Sequence, residues 1–136
     1  MSESMANISY FEVPADDIMR AKKFYTEILG WDFMPTRVPG MQVEYWNIST
    51  GKSRKDTLNM GGLYQRKESS SRMLMYALVD DMDTALARVE QLGGKIISPK
   101  MTLETVGALV TVIDSEGNLI GLWEREKRAA EYPYSR

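Results

Sequence analysis

Tyr10 and Glu12 stand two residues apart in a strand-like run at residues 7–13, so the pleat of a strand puts both side chains on one face. A carboxylate desolvated beside a phenol has a raised pKa and can act as an acid or a base. A carboxylate near a strand end is more often solvated or paired, and both readings of Glu12 stand at this point. Glu44 and Tyr45 pose the same question. The turn at Pro39-Gly40 leaves their register, and hence their facing, loose.

The weight on Tyr and Glu follows from what the composition lacks. The 136 residues contain no Cys and no His. That excludes disulfides, thiolate zinc sites, iron–sulfur clusters, cysteine nucleophiles, Ser-His-Asp triads and metal sites built on imidazole. Any catalysis must use Asp, Glu, Lys, Tyr, Ser or Thr. With 17 Lys+Arg against 19 Asp+Glu the net charge is −2 and no block of one sign could follow a row of phosphates, so no nucleic-acid partner is expected. Gly61-Gly62 is no phosphate loop, because neither Lys-Ser/Thr nor a helix follows it. No apolar run approaches the roughly 18 to 20 residues of a membrane span, and the N-terminus lacks the charged-then-apolar layout of a signal peptide. A cytoplasmic protein with no membrane partner is therefore expected, with residues 1–5 as a loose leader.

The elements that must position Tyr10 and Glu12 occur twice. Residues 17–30 and 81–94 each read as an amphipathic helix, with Ile18, Ala21, Tyr25 and Ile28 in the first and Met82, Ala85, Val89 and Leu92 in the second at three- and four-residue steps. Shifted by 81 − 17 = 64, Asp17 falls on Asp81, Ala21 on Ala85 and Gly30 on Gly94. Asp16 or Asp17 and Asp80 or Asp81 are placed to cap the first turns, and Gly30 and Gly93 to end the helices in a left-handed residue. A strand precedes each helix, at 7–13 and 73–79. Three more follow each, at about 31–35, 42–49 and 57–64, then about 95–98, 106–113 and 119–124, with 114–118 as the last turn. Gly62-Leu63-Tyr64-Gln65 answers Gly121-Leu122-Trp123-Glu124. The order is β-α-β-β-β twice in one domain over 1–136: module 1 at about 7–64, a linker at 65–72, module 2 at about 73–124 and a tail at 125–136. Met73 and Met75 fall on the face expected to pack under a helix.

This doubled pattern resembles the vicinal oxygen chelate superfamily, which includes glyoxalase I, extradiol dioxygenases, fosfomycin-resistance enzymes and bleomycin-resistance proteins. The resemblance covers about 7–124. It rests on Val13-Pro14-Ala15-Asp16-Asp17 leading to Phe24-Tyr25 and Leu29-Gly30-Trp31, on Val79-Asp80-Asp81 with Gly93-Gly94, and on Asp114-Ser115-Glu116-Gly117-Asn118 with Gly121-Leu122. It implies an α+β fold in which two βαβββ modules form a curved, partly closed mixed sheet around a central cavity, with helices on the convex face. Metal-dependent members take ligands from the first strand of each module, usually histidine, and from the last strand of each, usually glutamate. Carried over, those positions are Tyr10, Leu74, Gly62 and Gly121. Leucine and glycine offer no donor atom and a neutral phenol is a poor ligand, so no metal and no other cofactor is expected.

With those positions marking the concave face, alternation places Tyr10, Glu12, Met60, Gly62, Tyr64, Leu74, Tyr76, Gly121 and Trp123 around the cavity. An aromatic lining with two glycines suits a flat, largely apolar ligand oriented by tyrosine hydroxyls. The same aromatics could instead fill a small barrel interior. Three readings follow: metal-independent binding of a small organic molecule; a glyoxalase-type lyase, isomerase or dioxygenase using Glu12 and Tyr10; or a structural or regulatory subunit with a vestigial cavity. A homodimer is expected in each case, because split sheets leave edges that association covers.

Overall fold

The computed structural model describes residues 5–37, 39–51 and 60–126. The first four residues of the expected leader, the start of the strand expected at 57–64 and the tail beyond 126 lie outside the described residues. The chain is α+β, with two helices and nine strands among the described residues. No helix among them is long and apolar enough to cross a membrane. The chain divides into two compact units, one running from Ser9 to Met75 and the other taking Ile8 together with the chain from Tyr76 onward.

In the first unit β1 (Ile8–Ala15) pairs in parallel with β4 (Met60–Gln65), setting Phe11 opposite Gly61 and Glu12 opposite Gly62. β4 pairs antiparallel with β3 (Tyr45–Ser49), and β3 antiparallel with β2 (Asp32–Thr36). Helix α1 (Ile18–Leu29) is capped by Asp17, whose carboxylate accepts the Arg20 N–H at 3.0 Å, and it ends at Gly30 with φ 73°. The apolar alternation of these strands faces the helix. Val13, Ala15, Ile48 and Leu63 pack with Ile18, flanked by Phe11, Tyr25, Trp31 and Trp46. Ile48 and Leu63 are wholly buried, which stabilises by about 1.5–3 kcal/mol for each side chain. Tyr25 stacks on Trp31 at 5.2 Å and Trp31 meets Phe11 at 5.5 Å. Ile28, expected on the core side, is exposed, since Trp31 packs against Tyr25 at that end of the helix.

The second unit repeats the order with one strand more after its helix. β5 (Leu74–Leu78) pairs in parallel with β9 (Leu119–Arg125), with Tyr76 opposite Gly121 and Leu78 opposite Trp123. β9 pairs antiparallel with β8 (Gly107–Ile113), which also carries β6 (Lys95–Ile96) and β7 (Met101–Leu103). Helix α2 (Met82–Val89) is capped by Asp81, which accepts the Thr84 N–H, and it covers Ala108, Val110 and Val112 through the fully buried Met82. The turn between β8 and β9 is held by Asp114, whose Oδ1 accepts the N–H groups of Glu116 and Asn118 at 2.8 and 2.9 Å.

Three expectations need correction here. The strand expected at 95–98 is only Lys95–Ile96, because Ile97 and Ser98 both aim their N–H at Thr111 O and Pro99 has none to offer; pairing with β8 resumes at Met101 in a strand that was not expected, β7. Helix α2 stops at Val89, and the chain closes through turns to Gly93 (φ 94°), which leaves Leu92 exposed. Met73 and Met75 are also exposed; α2 is eight residues long and packs on β8 and β9 instead.

Candidate functional site

On the first unit, the face turned away from α1 is where the polar side chains gather. Since Phe11, Val13, Trp46, Ile48 and Leu63 pack toward the helix, the residues between them point the other way. Strand register then puts Tyr10, Glu12, Tyr45, Gly62 and Tyr64 on one surface, with Glu12 beside Gly62 and Tyr45 beside Tyr64. Met60 shares that parity but sits at the start of β4 and is exposed.

The centre of this face is Tyr45, 5% exposed. Its hydroxyl donates to Glu12 Oε2 at 2.8 Å and lies 2.8 Å from the Tyr10 hydroxyl. An ionised carboxylate only accepts, so the Tyr45 proton points at Glu12 and the Tyr10 proton at Tyr45. The chain thus runs in one direction, phenol to phenol to carboxylate, and each bond polarises the next. Burial, opposed by the hydrogen bond shared with Tyr45 and reinforced by the Glu12 charge, pushes the Tyr10 hydroxyl up to about 12. Burial and then the Glu12 charge hold Tyr45 well above the usual tyrosine range. Tyr64 is raised by partial burial and by Glu12, against a hydrogen bond to Ser71. All three phenols therefore stay protonated at neutral pH, and Tyr10 and Tyr45 use their protons along the chain that ends at Glu12.

Gly62 makes this arrangement possible. A β-carbon there would overlap the Tyr45 hydroxyl, so the absent side chain is the space through which Tyr45 reaches Glu12. One residue earlier on the opposite face, a β-carbon on Gly61 would come within 2.5 Å of the Phe11 ring. The sequence reading left Tyr45 open. The signal that places it is the alternation of Tyr45 and Asn47 with the helix-facing Trp46 and Ile48.

Glu44, the other carboxylate considered, belongs elsewhere. Its Oε2 accepts the Trp46 indole N–H at 2.8 Å, and Lys22 of α1 lies 3.4 Å from the centroid of that indole. Glu44 is thus tied to a ring on the helix side, away from Glu12. Among the described residues, no three acidic side chains converge.

In the second unit Tyr76, Leu119, Gly121 and Trp123 share the face opposite α2. Tyr76 is buried and lies over Gly121, where a β-carbon would come within 2.5 Å of the ring. Trp123 donates its indole N–H to Val106 O at 2.9 Å, and the Arg125 guanidinium lies 5.6 Å from its ring centroid. Leu74, on β5, is buried. This surface offers aromatic contact rather than a second carboxylate.

Comparisons with known proteins bear on the family and the fold. A family model described as Bleomycin resistance protein-like N-terminal matches residues 7–44. A glyoxylase-like domain-containing protein of Didymella fabae is 30% identical over 117 residues, covering 82% of this chain and 88% of that protein. "Putative glyoxylase CFP32" of Mycobacterium bovis is 24% identical over 127 residues, and the chain spans 46%, about half, of its length. The crystal structure of methylmalonyl-CoA epimerase from Mycobacterium tuberculosis superposes with a TM-score of 0.66 at 14% identity, covering 97% of each chain, which shows a shared fold.

Proposed function

The chain belongs to the vicinal oxygen chelate superfamily, and from that premise we propose that it binds a small organic molecule without a metal ion, on the helix-free face that carries Tyr10, Glu12, Tyr45 and Tyr64. The observation that carries the proposal is the Tyr45 hydroxyl, which fills the space beside Gly62 and joins Tyr10 to Glu12. Of the four positions at which metal-dependent members hold ligands, Gly62, Leu74 and Gly121 have no donor atom. Tyr10 is kept a neutral phenol, bonded to Tyr45. These residues do not fit a divalent metal, whose dehydration must be offset by several convergent anionic or imidazole ligands. The aromatic rings and oriented hydroxyls suit a flat organic ligand instead.

The test is a titration of the whole chain with a chemically diverse fragment set, following the tyrosine ring signals by NMR. Saturable shifts at Tyr10, Tyr45 and Tyr64, weakened by Glu12→Gln, are expected; silence across the set overturns the proposal.

A second reading is favoured by the direction of the hydrogen-bond chain. A carboxylate backed by two protonated phenols can take a proton from a substrate while the phenols stabilise the charge that develops. In a glyoxalase-type lyase or isomerase Glu12 would be the base and Tyr10 a donor. Turnover of hemithioacetals or catechols that is lost in Glu12→Gln would promote this reading over simple binding. A homodimer is also proposed: among the described residues β2 pairs only with β3, Met34 of β2 is exposed, and α1 exposes Phe24 and Ile28. Sedimentation equilibrium giving the 15.5 kDa monomer at micromolar concentration would count against it.

A further inference from the structure

Strands β2 and β3 and the loop between them line a pocket of about 380 Å³, within the size range of small-molecule sites. Its wall includes Pro35, Arg37, Met41, Val43, Glu44 and Trp46. Two charges of opposite sign thus share one small pocket without neutralising each other. The ion pairs among the described residues join Lys23 to Glu27, Arg66 to Asp16 and Lys100 to Asp83, and neither Arg37 nor Glu44 takes part.

The wall is partly rigid. Glu44 holds the edge of the Trp46 indole through its N–H, and Lys22 holds one face of the ring. A carboxylate has about four acceptor positions, so the bond from Trp46 leaves Glu44 able to take further donors. Arg37 presents a planar fork matched to a carboxylate. Both side chains are exposed and hydrated, so a ligand must offer each a partner to replace that water: a simple anion would meet Glu44, a simple cation would meet Arg37, and an uncharged ligand would bring no counter-charge to either. A zwitterion answers both.

We infer that this pocket binds a free α-amino acid with an apolar or aromatic side chain. Its carboxylate lies on Arg37, its ammonium on Glu44, and its side chain against Met41, Val43 and Trp46. This goes beyond the ligand reading of the Tyr10–Tyr45–Glu12 chain: Tyr45 also lines the pocket, but the charges that hold the ligand are those of Arg37 and Glu44.

The experiment titrates the whole chain with L-phenylalanine and with its two single-charge analogues, phenethylamine and 3-phenylpropanoate, following the Trp46 indole N–H by NMR. Saturable binding of L-phenylalanine is expected. Each analogue, and the exposed substitution Arg37→Gln, should weaken binding at least tenfold, the change that goes with loss of one charge-assisted hydrogen bond. The Tyr10 ring signals should stay in place during this titration, which separates this site from the other face. Equal binding of either analogue, a Tyr10 ring shift that tracks binding, or no Trp46 shift with L-phenylalanine, L-leucine or L-methionine at millimolar concentration would overturn the inference.

Discussion

The Tyr45 hydroxyl lies in the space that a β-carbon on residue 62 would occupy, and from there it donates to Glu12. Two strands meet at that point, since Gly62 faces Glu12 across β1 and Asn47 across β3. The smallest residue on β4 thus sets how the largest polar side chain on β3 lies. Gly62→Ala should destabilise the protein by about 1–3 kcal/mol, the usual effect of overpacking a tight site. In a Tyr45→Ala background the same substitution should have little effect. A double-mutant cycle by urea unfolding measures the coupling, and a value below about 0.5 kcal/mol would show that the two residues do not compete for space.

Gly121 and Tyr76 repeat this relationship in the second unit with one difference. The ring lies over its directly paired neighbour in a parallel register, with its carbons 2.5 Å from the position of the missing β-carbon. A buried ring must move to admit a methyl group. Gly121→Ala should lower stability by about 1–3 kcal/mol, and trimming Tyr76 to Leu in the same chain should recover part of it. Thermal unfolding of the single and double variants decides.

The raised tyrosines make a prediction about alkali. Tyr10 titrates at an ordinary 10.0 when unfolded and at about 12 when folded, so the folded state holds its proton more tightly. Its contribution to stability is complete below pH 10 and is lost as pH rises from 10 through 12. Tyr45 shifts in the same direction, from burial and from the Glu12 charge. Tyrosinate absorbance should therefore rise late for these two groups, together with unfolding, and Tyr10→Phe should soften the alkaline loss of stability. A full tyrosine titration near pH 10 with the fold intact would contradict the buried chain.

How far the residues alone foretold this site depends on which interactions set each part. The 64-residue offset, the capping Asp17 and Asp81 and the stops at Gly30 and Gly93 are local signals, and the two helices begin where those signals put them. Alternation along β1 placed Tyr10 and Glu12 on one face, because strand facing needs only the neighbours in sequence. Tyr45 was beyond that reach: its facing depends on the β2–β3 register across a loop, and its contact with Glu12 on the absence of a side chain at Gly62, on the next strand in sequence. The early end of the strand expected at 95–98 was marked by Pro99, but the pair of N–H groups on Thr111 O and the added strand at Met101–Leu103 are tertiary events. The exposure of Ile28, Leu92 and Met75 likewise depends on where each helix ends and what it covers.

The last prediction concerns metal. A transition-metal ion is held in a protein by convergent imidazole, thiolate or carboxylate ligands at about 2.0–2.3 Å, which replace its water shell. Here Gly62, Leu74 and Gly121 supply none, and Tyr10 would have to lose a proton held up to about 12. A rescuing pair of carboxylates would need Glu12 and Glu44 to meet. Glu12 instead accepts from Tyr45 on the helix-free face, and Glu44 accepts from Trp46, whose ring packs with the α1 side. Converting Gly62 to Glu would not restore a site either, since the Tyr45 hydroxyl lies where its β-carbon must go. Protein purified without added metal should therefore carry no stoichiometric zinc, nickel or iron, and chelator should leave its melting temperature unchanged. Elemental analysis finding about one such ion per chain, lost together with several degrees of Tm on chelation, would place donors at these positions that this arrangement does not provide.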